Sequence, residues 1–125
     1  MKKILIALIL MCTVILPNFA AEKVYFKNLT EAVAFITRCL DSNDQKSLSE
    51  ACVGERQLTG NSIPFEGLKA INKKTPLKKL YSNKTFPNDK DEFTLGGHAS
   101  ELGHIHIDYK KIDGKWYLKD IWMCK

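Results

Sequence analysis

The three histidines of this chain, His98, His104 and His106, crowd into one short stretch near its end. His104 and His106 are two apart, so on a strand both side chains leave the same face. Matching Phe93 and Leu95 to Tyr109 and Ile107 on a shared apolar face requires an odd-length loop, Ala99 to Gly103, which sets His98 across from His104. Three imidazoles within about 5–8 Å of one another would then share the opposite face, turned away from the core. Such a set can hold zinc or copper, with Glu101 or Asp108 as a neighbouring oxygen donor. The plainer reading is a polar strand surface, because an open face lacks the enclosing hydrogen bonds that support a catalytic metal. Asp120 is the second candidate, the single acid on a strand face it shares with Tyr109, Trp116 and Trp122. A carboxylate there is costly unless wetted or paired, and a raised pKa is one route to a general base. The structural alternative is an acid at the sheet end, bonded to a lysine or a backbone N–H.

The elements that position these residues change character along the chain. Leu29, Ala32, Val33, Phe35, Ile36, Cys39 and Leu40 recur at helical spacing, with Asn28 or Thr30 available as the cap. A shorter helix is predicted from Asp44 to Val53, capped by Asp44 and ended by Gly54. Pro64, Phe65, Leu68 and Ile71 predict a third of about two turns, and the stretch 77–86 stays open between helix and irregular chain. From Phe93 onward the period becomes two, with strands around Phe93–Leu95, Ile105–Tyr109 and Trp116–Trp122. Asp113-Gly114 suits a two-residue hairpin turn of positive φ. Counting outward pairs Ile112 with Lys115, Tyr109 with Leu118, Ile107 with Asp120 and Ile105 with Trp122. Ile105, Ile107, Tyr109, Trp116, Leu118, Asp120 and Trp122 then form the face under the helices, and the histidines share the outer face with Tyr117, Ile121 and Met123. The expected fold is α+β, with N-terminal helices on one face of a curved antiparallel sheet and a C-terminal β-meander.

This order of elements resembles the nuclear transport factor 2-like superfamily, the cone-shaped, cystatin-like fold. The residues that carry the likeness are the opening helix Thr30 to Leu40, the short helix after Asp41-Ser42-Asn43-Asp44, and the closing hairpin from Asp113 to Ile121. The resemblance implies a helix across a curved sheet with a pocket between them, lined on the sheet side by Tyr109, Trp116, Asp120 and Trp122. It carries no activity with it, and no catalytic motif of an enzymatic member is matched. The chain leaves few residues for the usual first strands, so a sheet of three or four strands is expected.

At the other end, Lys2 and Lys3, the apolar run Ile4 to Leu16 and the stretch Pro17-Asn18-Phe19-Ala20 read as a signal peptide over residues 1–20. Met11 before Cys12 argues against a lipid anchor. Residues 21–125 would form one periplasmic or secreted domain with no membrane span. Loss of Lys2 and Lys3 lowers the formal charge from +5 to +3, too mild to argue for nucleic acid. The lysines from Lys69 to Lys84 have just Tyr81 interleaved with them, where a base-stacking surface wants several aromatics. In an oxidising compartment Cys39 and Cys52 are the first choice for a disulfide, with buried free thiols as the alternative. The functions weighed are three: a non-enzymatic exported domain binding a small ligand or protein partner, with a homodimer through the sheet; a metal-binding protein using the histidines; and an isomerase- or hydrolase-like enzyme using Asp120.

Overall fold

The computed structural model describes residues 23–54, 63–99 and 103–124, so the signal reading over 1–20, Cys12 and Glu101 lie outside the described residues. The elements are β1 (Tyr25–Phe26), α1 (Leu29–Asp41), α2 (Gln45–Ala51), α3 (Ile63–Lys74), α4 (Leu77–Leu80), β2 (Glu92–His98), β3 (His104–Ile112) and β4 (Lys115–Cys124). Four antiparallel strands make one sheet in the order β1-β4-β3-β2, with the helices packed on one face. The α+β layout is the one the sequence predicts; the two-residue β1 is an element it did not mark. No helix among the described residues is long and apolar enough to cross a membrane.

Local chemistry fixes the helical half. Asn28 caps α1, its Oδ1 accepting the Glu31 N–H at 2.9 Å, and Glu31 and Arg38 place opposite charges at the dipole's two ends. The helix closes through Asn43, whose φ of 55° lets the Asp44 N–H reach the Cys39 carbonyl and the Asn43 N–H reach that of Leu40. Asp44 then opens α2, its carboxylate accepting the Ser47 N–H at 3.0 Å. That bond holds the Asp44 carboxyl below its usual pKa. One three-residue corner, Ser42 to Asp44, thus ends one helix and starts the next. The Asn72 side chain accepts the Leu77 N–H at 3.0 Å, turning α3 into α4.

The core lies between helices and sheet, with Ile36, Leu48, Phe65, Leu68, Ile107 and Leu118 almost wholly buried. Phe86 stacks on Trp116 at 4.4 Å and meets Tyr109 edge-on at 5.1 Å, filling space beside two residues that the resemblance assigns to a pocket wall. The Tyr109 hydroxyl is buried with no hydrogen-bond partner among the described residues, and burial drives its pKa up. Tyr109→Phe removes that unpaired group, so it is expected to raise stability by about 1 kcal/mol, read as a rise in Tm of roughly 4–8 °C. A lower Tm would show that the hydroxyl is satisfied in solution.

The expected Cys39–Cys52 disulfide is not present: both are buried free thiols. Cys39 belongs to the apolar stripe of α1, while the Cys52 thiol donates to the Leu48 carbonyl one turn back, at 3.5 Å. Each fills the core as a small apolar side chain. Burial raises the Cys39 pKa and pushes that of Cys52 up to about 12. Because the folded value of Cys52 exceeds the unfolded one, its contribution is complete below about pH 9 and is lost as pH rises toward 12. Of these two and the exposed Cys124, iodoacetamide at pH 8 should alkylate Cys124 alone in the native protein, and all three after unfolding. Labelling of native Cys52 at the rate of Cys124 would contradict this packing.

Candidate functional site

The two chemical candidates, expected on opposite faces of the sheet, fall largely on one. From Ile112 opposite Lys115 to Tyr109 opposite Leu118 the last hairpin keeps the predicted register, set by Asp113 and Gly114 at φ 51° and 78°. It then slips by one residue. Asp108 pairs with Asp120, leaving Lys119 without an opposite number, and Ile107 pairs with Ile121, His106 with Trp122, and His104 with Cys124. The predicted pairs Ile107–Asp120 and Ile105–Trp122 are therefore corrected, along with the face of every β4 residue beyond Lys119. The physical reason is a bulge: it carries an acid out of the apolar layer and brings Ile121 and Met123 into it. The bulged stretch is tied to the end of α2, since the Val53 and Gly54 N–H groups donate to the Leu118 and Lys119 carbonyls, both at 2.9 Å. The same inversion removes Ile121 and Met123 from the outer face, two of the three apolar residues that suggested a dimer surface there.

The outer face now carries cross-strand rows of polar and aromatic groups. Thr94, Asp108 and Asp120 form one; Gly96, His106 and Trp122 the next; His98, His104 and Cys124 the third. Asp108 accepts the Thr94 hydroxyl at 2.8 Å and the Trp122 indole N–H at 2.7 Å. His106 stacks on Trp122 at 4.1 Å, and its Nε2 lies 3.2 Å from the Cys124 Sγ. The opposition of His98 and His104 is as predicted, with ring centroids 4.8 Å apart. Asp120 is 7% exposed and packed against Gly54, where any side chain would collide with its carboxylate. Asp108, Asp120 and Trp122 line a cleft of about 540 Å³ with Val53, Gly54 and Lys110. Of the four residues expected to line one pocket, Asp120 and Trp122 are thus together on the outside, while Tyr109 and Trp116 lie in the core. Among the described residues, no three His, Cys, Asp or Glu side chains stand as a metal ion would hold them.

A separate groove of about 600 Å³ runs along α1, closed on its far side by α4 and the turn that follows. Leu29, Val33 and Ala34 supply an apolar floor; among the described residues, Arg38, Lys78 and Lys84 bring three cations to its rim, against the single carboxylate of Asp41. The Thr37 hydroxyl in its wall is buried and has no partner among the described residues. Tyr81, also in the wall, is anchored by a 3.1 Å hydrogen bond from its hydroxyl to the Gly96 carbonyl. Sequence reasoning missed this groove because it followed only the apolar stripe of α1, which leaves out Thr30, Ala34, Thr37 and Arg38. The only signal was their spacing, which places them on one stripe, and nothing local shows that α4 lies across it.

No family model, curated protein or solved structure matches this chain.

Proposed function

We propose that this protein is an exported, non-enzymatic binding domain whose ligand is an elongated apolar molecule with an anionic head, seated between α1 and α4. The observation that carries the reading is the groove's division into an apolar floor of Leu29, Val33 and Ala34 and a rim of Arg38, Lys78 and Lys84. Its volume falls in the range of small-molecule sites, which are mostly apolar with a few placed polar groups. The cationic rim favours a carboxylate or sulfate head over a neutral one, and the Thr37 hydroxyl offers a further donor. Export is supported by the order of basic, apolar and small residues at the N-terminus.

Calorimetric titration with dodecanoate tests the reading. Binding should be saturable, and dodecanol should bind more weakly. Ala34 is exposed on α1, so Ala34→Trp blocks the floor without disturbing the core and should weaken dodecanoate at least tenfold, about 1.4 kcal/mol. Equal affinity for the acid and the alcohol, or affinity unchanged by Ala34→Trp, would overturn it.

A further inference from the structure

We infer that the outer sheet face is a thiolate-containing site for a zinc-class divalent cation, with Cys124 and His106 as its central pair and His104 and His98 completing the donor set. The sequence offers the three imidazoles, with Glu101 or Asp108 as an oxygen donor, and no thiolate beside them. The bulge at Lys119 adds the sulfur, because without it Cys124 would leave the opposite side of β4. Cys124 pairs directly with His104, which pairs directly with His98, so the three form one row across β4, β3 and β2. His106 sits one row away and reaches diagonally to bring Nε2 within 3.2 Å of Sγ. Two ligands of one tetrahedral zinc, at ordinary Zn–S and Zn–N lengths, lie about 3.5 Å apart, so this pair is already spaced as such ligands are.

The surroundings suit a metal more than a bare hydrogen bond. His106 is held from behind by Trp122, which is itself tied to Asp108 and through it to Thr94. Metal-binding imidazoles are commonly oriented by such a backing chain. Cys39 and Cys52 are buried in the core, while Cys124 is exposed, so it is the thiol of the three that a cation can reach. As the side chains stand, His104 is turned against His98, and gathering the donors takes side-chain rotations on strands that stay in place. One sulfur and three nitrogens form a tetrahedral set, which favours zinc over hard, oxygen-seeking cations.

The test is a Co²⁺ titration of the reduced full chain. Tetrahedral cobalt should show visible ligand-field bands together with a near-ultraviolet thiolate charge-transfer band, saturating at a single equivalent and lost on adding Zn²⁺. Cys124→Ser should abolish the charge-transfer band, and His106→Ala should weaken binding at least tenfold. Zn²⁺ should also slow alkylation of Cys124 in the native protein. A titration without these bands, a charge-transfer band that survives Cys124→Ser, or alkylation indifferent to Zn²⁺ would each overturn the inference. Dodecanoate binding by Cys124→Ser should match that of the parent chain, so the groove and the metal site stand or fall separately.

Discussion

Ile121→Asp is expected to abolish folding at room temperature, whereas Trp122→Ala leaves a cooperative domain. Ile121 is 2% exposed within the core cluster. Exchanging it removes a buried aliphatic side chain, about 2–5 kcal/mol, and places an unpaired carboxylate in an apolar layer at a further cost of several kcal/mol. Domains of this size have about 5–15 kcal/mol to lose. Trp122 lies half-buried on the other face, stacked on His106 and donating to Asp108. Its loss should cost about 1–2 kcal/mol. Circular dichroism melts of the two variants separate the registers. In the unbulged hairpin Trp122 would be the core residue and Ile121 the exposed one, so a folded Ile121→Asp beside an unfolded Trp122→Ala would refute the slip at Lys119.

The second large effect concerns Gly67, the point where α3 crosses the sheet. A Cβ added there would sit 2.9 Å from Ile105 Cδ1 and 3.4 Å from Met123 Sδ. Glycine inside a helix ordinarily costs about 1 kcal/mol relative to alanine; here it permits the close approach of helix to strand. Gly67→Leu forces a full side chain into filled space and should destabilise by about 3 kcal/mol. Gly67→Ala should stay near neutral, the helical gain offset by a small shift of the flexible Ile105 end. Urea unfolding measures both, with an unchanged m-value identifying a change in stability alone. A Leu variant as stable as the parent would mean that α3 does not rest on Ile105 and Met123.

Both variants probe features that local sequence cannot show. The apolar stripe of α1, the Asp44 cap, the Asp113-Gly114 turn and the opposition of His98 and His104 depend on neighbours a few residues apart, and each was legible. The register beyond Leu118 was not. A strict alternation carried through β4 put Asp120 and Trp122 inside, and only the cost of burying that acid, together with the hydrogen bonds from Val53 and Gly54 to the Leu118 and Lys119 carbonyls, reveals the extra residue. The cysteines were misjudged for a similar reason. Spacing brings Cys39 and Cys52 onto adjacent helices, but which way a thiol is used depends on the core around it.

The sequence by itself determined the elements, their order, the α+β class and the start of the hairpin, because capping, turn conformation and hydrophobic period act over a few residues at a time. The tertiary structure decided which side chains meet. A single bulge, imposed by the apolar layer on one side and the end of α2 on the other, moved Asp120, Trp122 and Cys124 to the histidine face. The packing of α4 across α1 made a groove from residues that a lone helix would present to water. Both outcomes depend on contacts between segments far apart in the chain, where burial and backbone hydrogen bonding outweigh local pattern.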